Sequence, residues 1–245
     1  MILPPSASES HSTTSCAGAT ARAHAGRRIL PRAFSAAISK RRPRVVIASE
    51  DAFQRDGGAL ERLRAAGIAI ETGLMSEPAR ELNRGFFSRI ERGRPWVRIK
   101  LATSLDGRTA PANGESKWIT GEAARADVHR WRRLFPAIAV GAGTVAKDNP
   151  RLTARIAGAE EWSPIRFVFD GLLRTVVDKQ LPNLYTDEFS KRTIVVTTPH
   201  SGMGYVRKLR ELGIEVWVLP SPTQRVPLAE FRKKCAEVKI PAVIF

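Results

Sequence analysis

Cysteine and histidine are scarce in this chain, and it contains no long apolar run. There are two cysteines, Cys16 and Cys235, and four histidines among 245 residues. Two distant cysteines cannot build a disulfide framework, and no C-x-x-C or H-x-x-H spacing predicts a metal site. A G-x-S-x-G nucleophile elbow is missing, and no apolar run approaches the roughly 18 residues that a membrane-spanning helix needs. We therefore expect a cytoplasmic protein with no membrane partner and no bound metal.

Acidic residues are few relative to basic ones. Lys and Arg number 40 against 24 Asp and Glu, which gives a formal net charge of +16. The positive electrostatic potential that this charge creates attracts phosphorylated ligands, nucleotides or nucleic acid. Much of the charge, however, lies in residues 1–43, a stretch rich in Ser, Ala and Arg with little apolar periodicity. We interpret residues 1–43 as a disordered or divergent N-terminal segment and expect no specific nucleic acid partner.

From Arg44 onward, β-branched apolar runs alternate with segments of helical periodicity. Residues 44–93 predict a small β-α-β-α unit, with Ser76 as the N-cap of its second helix. A Gly-Arg-Pro sequence then marks the start of a second region, residues 94–245. Its six predicted strands and intervening helices, one of them capped by Thr120, indicate a mostly parallel α/β sheet with flanking helices. The predicted strands are 44–50, 68–74, 96–104, 134–140, 165–170, 193–197, 214–219 and 241–245.

Three segments of the second region carry small residues, basic residues or both. Residues 104–109, S-L-D-G-R-T, form either an ordinary tight turn or a ligand loop. Residues 140–145, V-G-A-G-T-V, follow a strand and permit either close packing or the approach of a pyrophosphate. On the helix between them, Arg125, His129 and Arg132 share one face, which is either a solvated surface or a phosphate site.

Four segments in this order resemble the reductase domain of the bifunctional riboflavin-biosynthesis pyrimidine deaminase/reductase family. They are KLATSLDGRTA, GESKWITGEAARADVHRWR, AVGAGTVAKDNPRLTAR and IRFVFD. The resemblance extends over residues 44–245, of which 44–93 look like the end of the deaminase domain and its linker. It implies a dihydrofolate-reductase-like fold for residues 94–245. It also implies NADPH-dependent reduction of the ribosyl group of 5-amino-6-(5-phosphoribosylamino)uracil to ribityl. The family often dimerises, so a homodimer is one expectation.

The resemblance also implies roles for individual residues of this chain. The residues that would contact NADPH are Ala102, Trp118, Thr144 and Asp148. Those that would contact the phosphorylated pyrimidine are Ser116, Arg132, Leu152 and Arg155, with the two arginines at its phosphate. Near the reacting sugar, the catalytic candidates are Lys100 and Asp106. A lysine there would polarise the imine nitrogen or the ring oxygen.

The chain departs from the family pattern in three places. The H-x-E and P-C-x(n)-C motifs that bind zinc in the deaminase half are missing, so we expect no deaminase activity. The sequence stops at Phe245, before an acidic, Gly-rich loop of the family, and we therefore expect a C-terminally truncated reductase domain. Gly171 stands where the family often has Ser after the strand-end Asp. Two alternatives stay open, a basic nucleic-acid-binding protein and an inactive fragment of the reductase.

Overall fold

The computed structural model describes residues 44–50, 58–110, 119–177 and 180–245. These residues belong to two compact units, which divide between Ile90 and Glu91. Within the described ranges, no helix is both long enough and apolar enough to cross a bilayer.

Two short parallel strands form the centre of the first unit. Its elements are β1 (Arg44–Ile47), α1 (Ala59–Ala65), β2 (Ala69–Thr72), α2 (Ser76–Leu82) and α3 (Arg84–Arg92). Val45 lies opposite Ile70 in the register of the two strands. The prediction that Ser76 is an N-cap is wrong, because Met75 takes that position with a φ of 57° and Ser76 is the first helical residue. The side chain of Met75 is exposed, so its left-handed backbone meets no packing obstacle.

A six-stranded sheet forms the second unit. Its elements are β3 (Trp96–Arg98), α4 (Glu122–Leu134), β4 (Ala137–Gly141), α5 (Ala142–Asp148), β5 (Ile165–Phe169), α6 (Asn183–Thr186), β6 (Thr193–Thr197), α7 (Met203–Glu211), β7 (Glu215–Val218), α8 (Leu228–Glu237) and β8 (Ala242–Ile244). The strand order is β3-β8-β4-β5-β6-β7, and each neighbouring pair is parallel. The predicted class, an α/β fold with a mostly parallel sheet and flanking helices, is confirmed.

The edge strand β3 is shorter than its sequence predicts. Residues 96–104 alternate like a strand, but β3 ends at Arg98. The amide of Lys100 still donates to the carbonyl of Phe245 at 2.7 Å. Because the neighbouring strand β8 ends at Ile244, the ladder has no partner for the residues beyond this bond. A strand boundary is thus set by the neighbour and not by the local pattern.

Two other boundaries in the second unit differ from the prediction. Helix α4 follows Gly121, whose carbonyl accepts the first intrahelical bond, and Thr120 is therefore not the N-cap. Leu134 is the last helical residue and not the start of the next strand, since its side chain is 65% exposed and gains nothing from the sheet. Residues 142–148, which include most of the small-residue segment after the predicted strand, form helix α5.

Apolar residues cover both faces of the sheet, so the second unit has two cores. Alternate residues of β5 serve different cores: Phe167 packs towards α8, and Val168 packs towards the opposite face. On the α8 side, the ring of Phe231 meets Phe167 edge-on at 4.9 Å and Phe169 at 4.7 Å. This double layer fixes the sheet, and because every strand is parallel, all the carboxyl ends lie along one edge.

Candidate active site

The C-terminal half of α4 lies against the loop that follows α5, and basic side chains gather between them. Arg132 Nη1 donates to the Thr153 carbonyl at 3.1 Å, and Arg155 Nη1 donates to the Thr153 hydroxyl at 2.8 Å. The Arg155 amide donates to His129 Nδ1 at 3.1 Å. We call His129, Arg132, Thr153 and Arg155 the arginine cluster. A single residue of the loop, Thr153, thereby contacts both guanidinium groups and sets their spacing.

The guanidinium of Arg132 lacks partners for its charge and for one of its nitrogens. Burial, and then the positive charge of Arg155, lowers the pKa of Arg132 to about 10. Its Nε atom is buried without a hydrogen-bond partner among the described residues, and no carboxylate in those ranges pairs with it. An uncompensated buried charge is costly. A phosphate group would supply both the opposite charge and the missing acceptor.

The acidic residues near the cluster neutralise a different arginine. Glu161 accepts a hydrogen bond from the Thr153 hydroxyl and lies 3.8 Å from Arg155 Nη1. Arg151 Nη2 is 3.5 Å from Glu161 and also pairs with Glu188. Arg151 therefore has two carboxylate partners and Arg155 has one at long range. The positive charge that remains available is concentrated at the arginine cluster.

The electrostatic environment also acts on the histidine of the cluster. Burial lowers the pKa of His129 below 6.5, and the charges of Arg132 and Arg155 lower it further. Nδ1 lies 3.1 Å from the Arg155 amide, from which it accepts when unprotonated, and 3.2 Å from the Thr153 carbonyl, to which it donates when protonated. An anion bound between the arginines would oppose this effect and favour the protonated ring.

Backbone strain is concentrated in the loop that carries Thr153. Asn149 and Leu152 both lie in the left-handed region, with φ of 40° and 58°. Such conformations cost about 1–3 kcal/mol each for residues other than glycine. The Leu152 side chain is 5% exposed, so burial in the core helps to hold its unusual backbone. The loop is thus strained next to the arginine cluster.

A second, open surface follows strand β4 at the carboxyl edge of the sheet. Side chains placed at Gly141 or Gly143 would meet nothing within 4 Å. Thr144 and Asp148 lie one turn apart on α5, and both are exposed. Between them, Val145 is buried and fixes the helix to the core. A flat or extended ligand can therefore approach the backbone of α5 closely, as a dinucleotide requires.

The neighbouring strand end, after β5, is covered by a loop. A Cβ atom on Gly171 would lie 1.8 Å from the carbonyl oxygen of Gln224. The Thr198 hydroxyl donates to the Gly171 carbonyl at 2.9 Å, which fixes the same peptide from the other side. Asp170 caps the following turn through bonds to the amides of Arg174 and Thr175, at 2.9 and 2.7 Å. Only glycine at position 171 allows this approach of the loop.

Comparison with known proteins identifies the family. A sequence model described as the RibD C-terminal domain matches residues 95–240. The chain belongs to this family. The riboflavin biosynthesis protein RibD of Actinobacillus pleuropneumoniae is 38% identical over 188 residues, which cover 77% of this chain and 48% of the relative. RibD of Bacillus amyloliquefaciens is 39% identical over 201 residues, 82% of this chain and 52% of the relative. The chain thus spans about half the length of the curated relatives it matches.

Solved structures of RibD proteins share the fold of this chain. The deaminase/5-amino-6-(5-phosphoribosylamino)uracil reductase of Thermotoga maritima superimposes with a TM-score of 0.68 at 26% identity, covering 86% of this chain and 55% of that one. Acinetobacter baumannii RibD gives a TM-score of 0.69 at 31% identity, covering 86% and 56%. The dihydrofolate-reductase-like α/β fold of the RibD reductase domain, which the sequence predicts, is therefore confirmed.

The residues predicted for the RibD-type site fall into three groups in the structure. Arg132, Leu152 and Arg155 come together at the arginine cluster and its loop. Thr144 and Asp148 share the exposed surface of α5. The third group, Lys100, Ala102 and Asp106, lies in the segment after β3 and shares no hydrogen bond or ion pair with the others within the described residues. Ser116 and Trp118 lie outside the described residues.

Within the third group, Asp106 is bonded to residues of its own turn. Asp106 accepts a hydrogen bond from the Ser104 hydroxyl and forms an ion pair with Arg108 Nε at 2.9 Å. Gly107 has a φ of 78°, as the tight turn requires. Lys100 and Asp106 are both exposed, and Ala102 is half-buried. Their roles towards cofactor and sugar stay predictions.

Sequence reasoning missed the residues that support the arginine cluster. Glu161, Arg166 and Asp187 were not among the predicted site residues. Glu161 and Arg166 bond directly to the loop of Thr153, and Asp187 pairs with Arg166. One signal was available for Arg166, since an arginine inside the apolar run IRFVFD is rarely buried without a partner. The partner itself, Asp187, lies 21 residues away in a segment with no motif.

Proposed function

We propose that this chain carries a pyrimidine reductase domain of riboflavin biosynthesis in residues 94–245, with residues 44–93 related to the end of a deaminase domain. Its substrate would be 5-amino-6-(5-phosphoribosylamino)uracil, whose ribosyl group is reduced to ribityl with NADPH. The curated relatives are riboflavin biosynthesis proteins called RibD, and the Thermotoga maritima structure is described as a deaminase/5-amino-6-(5-phosphoribosylamino)uracil reductase. The observation that carries the proposal is the half-buried Arg132, which has a positively charged neighbour in Arg155 and no carboxylate partner among the described residues.

The arginine cluster would hold the 5-phosphate of the substrate. The bond from Nη1 to the Thr153 carbonyl orients the Arg132 guanidinium, and a bound phosphate would supply the negative charge that this group lacks among the described residues. Arg155 adds a second positive charge through its bond to the Thr153 hydroxyl. Because two guanidinium groups in a partly buried site bind a dianion far better than a neutral sugar, phosphate would be a main determinant of affinity.

The open surface of α5 suits a nicotinamide dinucleotide. Thr144 and Asp148 would hold it, and the absence of side chains at Gly141 and Gly143 would let it lie close to the backbone. When bound, NADPH supplies the hydride for the reduction. The chain's own residues would bind and orient the substrate and the cofactor, and they would exclude water from the reacting sugar.

Lys100 would act on the reacting group of the sugar. Its backbone is fixed at the carboxyl edge of the sheet, because its amide donates to the Phe245 carbonyl at 2.7 Å. The exposed ammonium group would then be placed to stabilise negative charge, or to polarise the imine nitrogen, as the sugar ring opens. Ser116 and Ala102 would contact substrate and cofactor respectively, in keeping with the family pattern.

The test is the steady-state rate of NADPH oxidation by the purified chain, with the phosphorylated pyrimidine varied. Arg132→Ala removes the buried cation, and Arg130→Ala removes an exposed arginine of the same helix. Both variants lose one positive charge, so their comparison separates local binding from the field of the whole protein. We expect Arg132→Ala to raise KM by about 10- to 100-fold, since charge-assisted hydrogen bonds are lost. Arg130→Ala should change KM less than about twofold.

The dephosphorylated substrate provides the matching control on the ligand side. If the cluster binds the phosphate, the wild-type chain should lose affinity for this analogue by a similar factor, and Arg132→Ala should add little further loss. Equal sensitivity of both substrates to Arg132→Ala would contradict the assignment of the phosphate site. Failure of the folded wild-type chain to oxidise NADPH with either substrate would contradict the proposed reaction.

A further inference from the structure

The side chain of Arg166 is fully buried in the middle of the sheet and uses all three of its nitrogens. Nε donates to the Thr193 hydroxyl at 3.0 Å. Nη1 and Nη2 form a two-pronged ion pair with Asp187 at 2.6 and 2.8 Å. Nη2 also donates to the Leu184 carbonyl at 3.1 Å. Among the described residues no other ion pair is as buried, with side-chain exposures of 0% and 8%.

The remaining bond of Arg166 leads out of the core to the strained loop. Nη1 donates to the carbonyl of Arg151 at 3.0 Å. That carbonyl belongs to the peptide before Leu152, whose φ of 58° aims the next residue, Thr153, at the arginine cluster. The buried guanidinium of Arg166 therefore holds the chain at Arg151, two residues before Thr153, which contacts both Arg132 and Arg155.

A second set of contacts joins the same two chain segments. The amide of Asn183 donates to Asn149 Oδ1 at 2.7 Å, and Asn183 Nδ2 donates to the Asn149 carbonyl at 3.1 Å. Residues 183–187, which hold Arg166 through Leu184 and Asp187, therefore also hold the start of the loop. Asn149 is thus held by Asn183, and Leu152 follows the Arg151 carbonyl that Arg166 holds.

We propose that Arg166 and Asp187 are a positioning pair, which holds residues 149–153 so that Thr153 sets the geometry of the anion site at the arginine cluster. This role rests on the proposed function, in which that site binds the substrate phosphate. Neither residue touches the anion. Loss of the pair would let the strained peptide at Leu152 relax and would move the Thr153 acceptors away from Arg132 and Arg155.

Stability alone does not account for such a pair. Buried ion pairs can often be replaced by apolar residues of similar volume without loss of stability, whereas removal of one partner leaves an unpaired charge. An apolar pair, however, has no donor for the Arg151 carbonyl. The double replacement Arg166→Met with Asp187→Leu therefore separates packing from positioning.

The experiment compares wild type, the double variant and Arg166→Lys in three measurements. The first is thermal unfolding, which reports packing. The second is KM and kcat for the phosphorylated pyrimidine. The third is the NMR titration of the His129 ring, assigned with His129→Gln, which reports the cluster without any substrate. The ring pKa lies below 6.5 in wild type because of burial and the two arginines.

We expect the double variant to fold but to unfold below the wild-type temperature, because the Arg151 carbonyl and the Phe189 amide lose their partners. KM should rise about 10- to 100-fold, kcat should change much less, and the His129 pKa should move towards 6.5. Arg166→Lys keeps the charge beside Asp187 but cannot reproduce the whole set of bonds, so it should give smaller shifts in the same direction. Should the double variant fail to fold, the Arg166→Lys titration decides by itself.

An unchanged His129 titration in a folded variant would overturn the proposal, because the cluster would then be independent of the pair. A loss of unfolding temperature with KM and the titration unchanged would assign the pair to packing alone and would overturn it as well. If the titration moves while wild type shows no turnover, the positioning role stands and the proposed reaction fails. The two hypotheses are therefore tested separately.

Discussion

A methyl group added at Gly171 should destabilise the second unit, and the structure indicates by how much. The new Cβ would lie 1.8 Å from the Gln224 carbonyl oxygen and 3.0 Å from its carbon. Nonbonded C···O contacts are about 3.3 Å or longer, so the loop must retreat by about 1.5 Å. The φ of Gly171 lies outside the left-handed region, and alanine therefore adds no backbone strain of its own.

The cost follows from what the loop loses when it moves. The Ser221 hydroxyl donates to the Arg225 carbonyl at 2.9 Å, and the Ser221 carbonyl lies 3.2 Å from His200 Nε2. Loss of one hydrogen bond costs about 0.5–1.5 kcal/mol, and overpacking costs typically about 1–3 kcal/mol. The lower entropy of the unfolded alanine chain returns about 0.4–1 kcal/mol. At the middle of these ranges, the net expectation is a destabilisation of about 2–3 kcal/mol.

Differential scanning calorimetry of Gly171→Ala measures this directly. For a unit of this size, 1 kcal/mol corresponds to about 2–4 °C, so the transition should fall by roughly 4–12 °C. Gly143→Ala is the matched control, since its Cβ meets nothing within 4 Å and alanine is the better helix former. It should be neutral or up to about 1 kcal/mol more stable. If the two variants unfold within 1–2 °C of each other, roughly the size of a 0.5 kcal/mol effect, the Gln224 loop yields freely and the reasoning is refuted.

Three further predictions concern buried side chains. Phe231→Ala should cost about 3–5 kcal/mol in urea unfolding, because Phe231 is 1% exposed and packs against four other aromatic rings; a loss below 1 kcal/mol would contradict this packing. Burial raises the pKa of the Cys235 thiol to about 12, so Cys235 in a Cys16→Ser chain should resist a disulfide reagent at pH 8 until guanidinium is added. The pKa of His129 is lowered by burial, Arg132 and Arg155. The native state then binds fewer protons than the unfolded state below pH 6.5, stability should fall there as pH decreases, and His129→Gln should flatten that slope.

The strands could be predicted where burial alone determines them. The run TIVVT gives β6 with its observed ends, because all five residues are buried on both faces. The edge strand β3 shows the limit of this reasoning. Its pattern continues to residue 104, but hydrogen-bonding partners end near Phe245, and no local signal in residues 99–104 records that. Edge boundaries depend on the neighbouring strand, which lies more than 140 residues away in the chain.

The candidate site could be predicted only in part. The motifs pointed to Arg132 and Arg155, and the structure brings both to Thr153. Glu161 and Asp187 come from segments without a motif. The tertiary fold brings Glu161 to Thr153, and it brings Asp187 to Arg166, which in turn bonds to the loop. Family resemblance indicates which residues contact a ligand, but it does not indicate which residues hold those contacts in place.

Arginine content by itself therefore says little about where an anion binds. Arg166 is fully buried and Arg132 is half-buried, but Arg166 has an acceptor for each nitrogen and a carboxylate for its charge. Arg132 has one carbonyl, an unused Nε and a like charge beside it. A guanidinium whose hydrogen bonds and charge are already satisfied gains little free energy from binding a ligand. One that lacks a counter-charge gains more, because the ligand removes the free-energy cost of its unpaired charge. Next to the strained loop, Arg132 has no carboxylate partner among the described residues and Arg155 has only Glu161 at 3.8 Å. We therefore predict that an anion binds where these two charges meet.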